Sequence, residues 1–165
     1  MDVSKRLSAS LEDYLEAIYH IVKKKQAAKA KDIAMQLDVN SSSVTGALQS
    51  LSKRGLVNYA PYDLITLTPE GSRIAEDVIR RHKALYRFFT VVLSVDEVEA
   101  QEMACKMEHD ISTSVLDRLI QYLDFVDNCP IGGITWNEEL GFTCKHMMKF
   151  GSCEKCAEEF KSTKE

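Results

Sequence analysis

Before residue 56, apolar side chains recur every three or four positions, the repeat of a helix with one buried face. Leu11, Tyr14, Leu15, Ile18, Tyr19 and Val22 share such a face and predict a helix over 11–24. Ser10, with Asp13 three residues on, suits its N-cap. A shorter helix over 30–37 turns Ile33, Ala34 and Leu37 inward, and "DVN" ends it. A third, over 41–54, has the stripe Val44, Ala47, Leu48 and Leu51, with Gly55 closing its C-terminus. The period then changes. Residues 56–68, rich in Val, Tyr, Ile and Thr, predict two short β segments around a Pro/Asp turn at 60–63.

Helical spacing returns after Thr68, a cap followed by Pro69 at the first helical position, and runs through Ile74, Val78, Leu85, Phe88 and Val92. A break near Ser94–Asp96 precedes a helix carrying "MACKMEHD", and a last helix starts at Ser112 or Thr113. Beyond Asp127 the periodicity fades into a Cys- and Gly-containing tail. The expected fold is mainly α. It comprises a winged helix-turn-helix DNA-binding domain (1–70), a helical metal-binding and dimerisation domain (71–127) and a Cys-rich tail (128–165).

The winged-helix reading comes from element order: three helices, then a hairpin, the last helix of the three being the one that enters the major groove. Its polar face carries Ser42, Ser43, Thr45, Gly46, Gln49 and Lys53. Hydroxyls there reach base edges and phosphates, Gln pairs with adenine, and a Thr methyl meets thymine. Lys23–Lys25, Lys29, Lys31, Lys53 and Arg54 supply phosphate contacts. Charge follows the same division. Residues 1–93 hold 14 Lys/Arg against 10 Asp/Glu, a balance of +4, and residues 94–165 hold 7 against 15, or −8. A polyanion-facing end and an acidic, cation-binding end are implied. With 45% hydrophobic and 28% charged residues and no long apolar run, the 165-residue chain is expected to be cytoplasmic, with no membrane partner. Five cysteines in that compartment argue for thiols or metal ligands over disulfides.

Candidate chemistry concentrates in "MACKMEHD". Cys105, Glu108 and His109 stand at i, i+3 and i+4, which stacks them on one helix face. Thiolate, carboxylate and imidazole together form a ligand set for a first-row transition metal. Three such ligands are half a site, so the remainder must come from elsewhere in the chain.

"SLEDYLEAIYHI", "DIAMQLDVNSSSVTGALQSLSKRGLV", "ITLTPEGSRIA", "VIRRHKAL" and "ACKMEHDIS" together resemble the diphtheria-toxin-repressor family of iron- and manganese-dependent transcriptional regulators. The similarity covers about residues 8–126. It implies an N-terminal winged helix, dimerising helices after it, and a metal held between the two. The matching ligand positions are Asp13, His82, Cys105, Glu108 and His109, and Glu16 matches an extra carboxylate of the manganese-sensing branch. Cys105 matches the thiolate of the iron-sensing branch. Tyr86 and Gln101 stand where that branch has a carboxylate and an imidazole at its ancillary site, and the SH3-like domain of larger members is not expected. A thiolate favours metals later in the Irving–Williams series than Mn2+, so Fe2+ is expected, with Mn2+ the alternative.

The tail adds Cys129, Cys144, Cys153 and Cys156, with His146 nearby. They could complete an all-thiolate Zn2+ site, hold an iron–sulfur cluster, or form a redox pair at Cys153/Cys156. The expected function is a ferrous-iron-activated, homodimeric repressor of metal-uptake genes that binds a palindromic operator in double-stranded DNA. A manganese sensor and a redox- or cluster-sensing winged-helix regulator are the alternatives. No His-Glu-x-x-His is present and no organic cofactor is expected, so an enzyme is not.

Overall fold

The computed structural model describes residues 7–60, 64–128, 134–137 and 141–144, and the chain divides into two compact units, residues 1–80 and 81–165. The first unit opens with α1 (Ala9–Lys25), α2 (Ala30–Leu37) and α3 (Ser41–Lys53). Its N-cap is Ser8, two residues ahead of the expected Ser10, with the Ser8 hydroxyl accepting from the Leu11 N–H. The earlier start has a packing reason. It leaves Leu7 just outside the helix, where Leu7 and Leu11 both pack against the core. α3 is capped by Asn40, whose Oδ1 accepts from the Ser43 N–H at 2.8 Å, and it ends at Gly55, whose φ of +70° suits a residue without Cβ.

The wing is shorter than the sequence suggests. Strands β1 (Val57–Asn58) and β2 (Thr66–Leu67) pair antiparallel, and an isolated bridge joins Ala28 to Ile65. The expected turn at 60–63 falls largely outside the described residues. α4 (Pro69–Arg87) then starts against the α3–β1 connection. Thr68 Oγ1 donates to the Gly55 carbonyl and accepts from the Gly71 N–H, while the Thr68 N–H donates to the Leu56 carbonyl. A Cβ on Gly71 would sit 1.9 Å from that Leu56 oxygen, so only glycine permits the approach. Tyr19 donates to Glu76 at 3.0 Å and ties α1 to α4. Leu15, Ile18, Ile33, Val44, Leu48, Leu51 and Ile65 form the centre of this unit, each at most 1% exposed.

In the second unit α4 does not run on as one regular helix to Val92. Phe88–Val92 widens into a π turn, with the Leu93 N–H donating to the Phe88 carbonyl and Thr90 Oγ1 bonding back to the Tyr86 carbonyl. Asp96 caps α5 (Glu97–Met107) through two backbone N–H groups, and α6 spans Thr113–Asn128. Leu85, Phe89, Ala100 and Ala104 pack together, with Leu119 and Ile111 against them. The tail, read from sequence as aperiodic, contains an antiparallel hairpin of β3 (Ile134–Asn137) and β4 (Gly141–Cys144). Alternating Ile, Thr, Trp and Phe, Thr on either side of a Gly was the available signal. No helix among the described residues is long and apolar enough to cross a membrane.

Candidate metal centre and nucleic-acid interface

The second unit assembles its polar cluster from two stretches of chain. α4 brings His82, and α5 brings Cys105 near its C-terminus. The helix stops at Met107, so Glu108 is its C-cap and His109 lies in the following turn, not on the regular helix that i, i+3, i+4 spacing predicts. The turn keeps nearly helical backbone at Glu108 (φ −60°, ψ −28°), and its N–H still donates to the Ala104 carbonyl. That local continuity holds Glu108 on the same side as Cys105.

His82 Nδ1 lies 2.6 Å from Glu108 Oε2 and 3.8 Å from Cys105 Sγ. His109 Nε2 is 3.5 Å from the other Glu108 oxygen. The donor atoms of His82, Cys105 and Glu108 all lie within 4.8 Å of one another, and the Cys105 thiol is exposed. Glu108 is 1% exposed, among the most buried side chains described. A carboxylate so removed from water is costly unless charge or hydrogen bonds offset it, and two imidazoles lie against it. A nitrogen, a sulfur and a carboxylate oxygen at this spacing match the donors that divalent transition metals take, so the cluster fits such an ion.

Two neighbours outside the predicted set hold the cluster in place. The Arg81 guanidinium donates to the Glu108 carbonyl at 2.8 Å, fixing the last turn of α5 and meeting the negative end of its dipole. Tyr86 stacks on the His82 ring, with planes 10° apart. The basic "RRHK" run was the only sequence cue to Arg81.

Asp13 and Glu16 belong to the first unit, one turn apart on α1, where Glu16 lies 3.4 Å from His20. Cys144 ends β4, while Cys129, Cys153 and Cys156 lie outside the described residues. α3 turns Ser42, Ser43, Thr45, Gly46, Gln49 and Lys53 outward, and its opposite side, Val44, Ala47, Leu48 and Leu51, is buried. Two of these hydroxyls already donate locally. Ser42 donates to Asn40 Oδ1 at 2.6 Å and Thr45 to the Ser41 carbonyl at 3.0 Å, leaving their oxygens free to accept only. At Gly46 a Cβ would meet nothing within 4 Å, an open patch of backbone midway along this face.

Family models match nearly the whole described chain. One for the N-terminal DNA binding domain of iron dependent repressors matches residues 6–64, and one for their metal binding and dimerisation domain matches residues 68–137. An uncharacterized HTH-type transcriptional regulator of Methanocaldococcus jannaschii is 39% identical over 119 residues, which is 72% of this chain and 95% of that protein. The HTH-type transcriptional regulator MntR of Lysinibacillus sphaericus is 34% identical over 121 residues, 73% of this chain and 86% of the relative. Among solved structures, IdeR of T. acidophilum superposes with a TM-score of 0.62 at 28% identity, over 74% of this chain and 57% of that one. The manganese regulator SloR gives 0.64 at 26%, over 82% and 63%. The chain thus spans less than two thirds of each of these two solved chains.

Proposed function

The chain belongs to the diphtheria-toxin-repressor family of metal-dependent transcriptional regulators, and from that premise we propose that it is a ferrous-iron-activated repressor of metal-uptake genes. The family consists of DNA-binding regulators, not enzymes, and its two domains serve DNA binding and homodimerisation. The observation that carries the finer reading is the convergence of His82, Cys105 and Glu108 within 4.8 Å. Asp13 and Glu16 complete the ligand set from α1, and His109 joins Glu108.

A divalent cation held there supplies positive charge and a fixed coordination frame. Glu108 keeps its carboxylate out of water and oriented by His82. Arg81 holds the backbone of the same turn. Metal binding restricts how the reading heads of a dimer sit. Two α3 helices held one DNA turn apart engage a palindromic operator, with Ser42, Ser43, Thr45, Gly46, Gln49 and Lys53 facing the groove. The Cys105 thiolate is softer than an all-oxygen and imidazole set, which favours Fe2+ over Mn2+.

Manganese is the second reading, favoured by relatives named MntR and by the manganese regulator SloR. Anaerobic operator-binding anisotropy, titrated in parallel with Fe2+, Mn2+ and Zn2+, separates the two. Half-maximal stimulation at lower Fe2+ than Mn2+ supports iron, and the reverse order assigns the protein to manganese. No stimulation by any of the three refutes a metal-activated regulator.

A further inference from the structure

Glu108 and His109 share one peptide bond, and its carbonyl oxygen, that of Glu108, accepts from Arg81 Nη1 at 2.8 Å. On the reading of this cluster as a divalent-metal centre, we propose that Arg81 is a positioning residue. Through that peptide it orients Glu108 and His109 together, and metal affinity depends on it. A peptide unit is a rigid plane running from one Cα to the next, so a bond to its oxygen restrains where both side chains start. The end of α5 makes this possible. The last carbonyls of a helix lack an intrahelical N–H, and each Cα–Cβ bond leans back toward the N-terminus. Glu108 is the C-cap, so its carbonyl and its carboxylate leave in different directions. Two consecutive residues of α4 take one each: Arg81 the carbonyl, and His82 Nδ1 the carboxylate at 2.6 Å. A glutamate held only by its carboxylate could still swing about its side-chain torsions. One held at both ends loses that freedom.

Burial gives the bond its weight. The Glu108 and His109 side chains are 1% and 11% exposed, and a carbonyl between two such residues is costly to leave without a donor. The N–H groups that follow are used elsewhere, since those of Asp110 and Ile111 both donate to the Met107 carbonyl. Ser112 already opens the next helix, its carbonyl accepting from the Val115 and Leu116 N–H groups. The donor therefore comes from α4, as a guanidinium that stays charged at any working pH. Cys105 stands apart. It lies inside α5, where the helical backbone itself sets its place. Arg81 thus acts on the carboxylate and imidazole of the "EH" pair and leaves the thiol alone.

The test compares the native full chain with Arg81→Met, Arg81→Lys and Glu108→Gln, each titrated anaerobically with Fe2+ and with Mn2+ by calorimetry. Binding that Glu108→Gln removes is binding at this cluster. Arg81→Met keeps an apolar stem without the donor and should weaken that binding by about 10–100-fold. Arg81→Lys restores a charged N–H and should recover part of the loss. At saturation the electron paramagnetic resonance spectrum of bound Mn2+ should change in Arg81→Met, because the carboxylate and imidazole are placed differently. A mere loss of stability would leave the spectrum of the bound ion as it was. If Arg81→Met fails to fold, Arg81→Lys decides: affinity below native with an altered Mn2+ spectrum supports the positioning role, and native affinity overturns it. Native affinity in Arg81→Met, or weakened binding with an unaltered Mn2+ spectrum, would also overturn it. If Glu108→Gln removes no binding, the cluster holds no metal, and the function proposed above falls together with this role for Arg81.

Discussion

The two units bury different things. In the first, an apolar cluster runs from Tyr14 through Ala75, and the one buried carboxylate among its described residues, Glu12, sits in the first turn of α1, where the helix dipole favours negative charge. In the second, the described apolar cluster is small, Leu85, Phe89, Ala100 and Ala104, and Glu108 is as buried as Leu116. The first unit is thus held by an apolar core that calls for no ligand. The second places a carboxylate, two imidazoles and a thiol where a cation would settle them. An apolar core and a cluster of groups fit for a cation make different demands on packing, and the described residues of the two units differ accordingly.

Perturbing Glu108 should produce the largest effect. Glu108→Gln keeps the shape, removes the charge, and should weaken metal binding by about 100-fold or more. Calorimetric metal titration checks this, with circular dichroism showing that the helices persist. Comparable metal affinity would remove the second unit's claim to a charged centre. Gly71→Ala tests the first unit in the opposite sense. The new methyl meets the Leu56 carbonyl, so unfolding in urea should show a loss of about 1–3 kcal/mol, with or without metal.

The comparison also explains what the sequence disclosed. Period alone predicts α2 at its observed bounds and the buried stripe of α3, since Val44, Ala47, Leu48 and Leu51 are spaced by packing and nothing competes. The start of α1 was misread because Ser8 and Ser10 are equivalent caps locally, and only the packing of Leu7 chooses between them. In the second unit, Cys105, Glu108 and His109 stand out as a ligand set, yet the helix end at Met107 and the support of Arg81 do not. The Arg81 support depends on a contact between residues 27 apart, which no local pattern encodes. The β3–β4 hairpin escaped because its strands are only four residues long.

Smaller effects sharpen the division further. Gly46→Ala places a good helix former in an exposed helix interior and should stabilise the first unit by about 1 kcal/mol in thermal unfolding. Its methyl fills the open patch on the reading face, so operator affinity should fall even as stability rises. Stability and affinity rising together would remove α3 from the DNA contact. The smallest effect belongs to Asp32, whose carboxyl is held below its ordinary value first by the hydrogen bond from Lys25, at 3.2 Å. A lowered folded-state pKa contributes stability above the unfolded carboxylate value of about 3.9, and that contribution fades as pH falls through the lowered value. Asp32→Asn should therefore lower the urea midpoint slightly at neutral pH and leave it nearly unchanged in strong acid, with the loss screened by salt.

Reciprocity between the two units is the most direct measurement. Metal affinity of the full chain, determined anaerobically with and without saturating operator DNA, should tighten by the same factor by which saturating metal tightens operator binding. Equal factors well above one are the predicted result. A metal affinity indifferent to DNA would contradict the account, because the cluster around Glu108 would then bind its ion without any link to the reading face of α3.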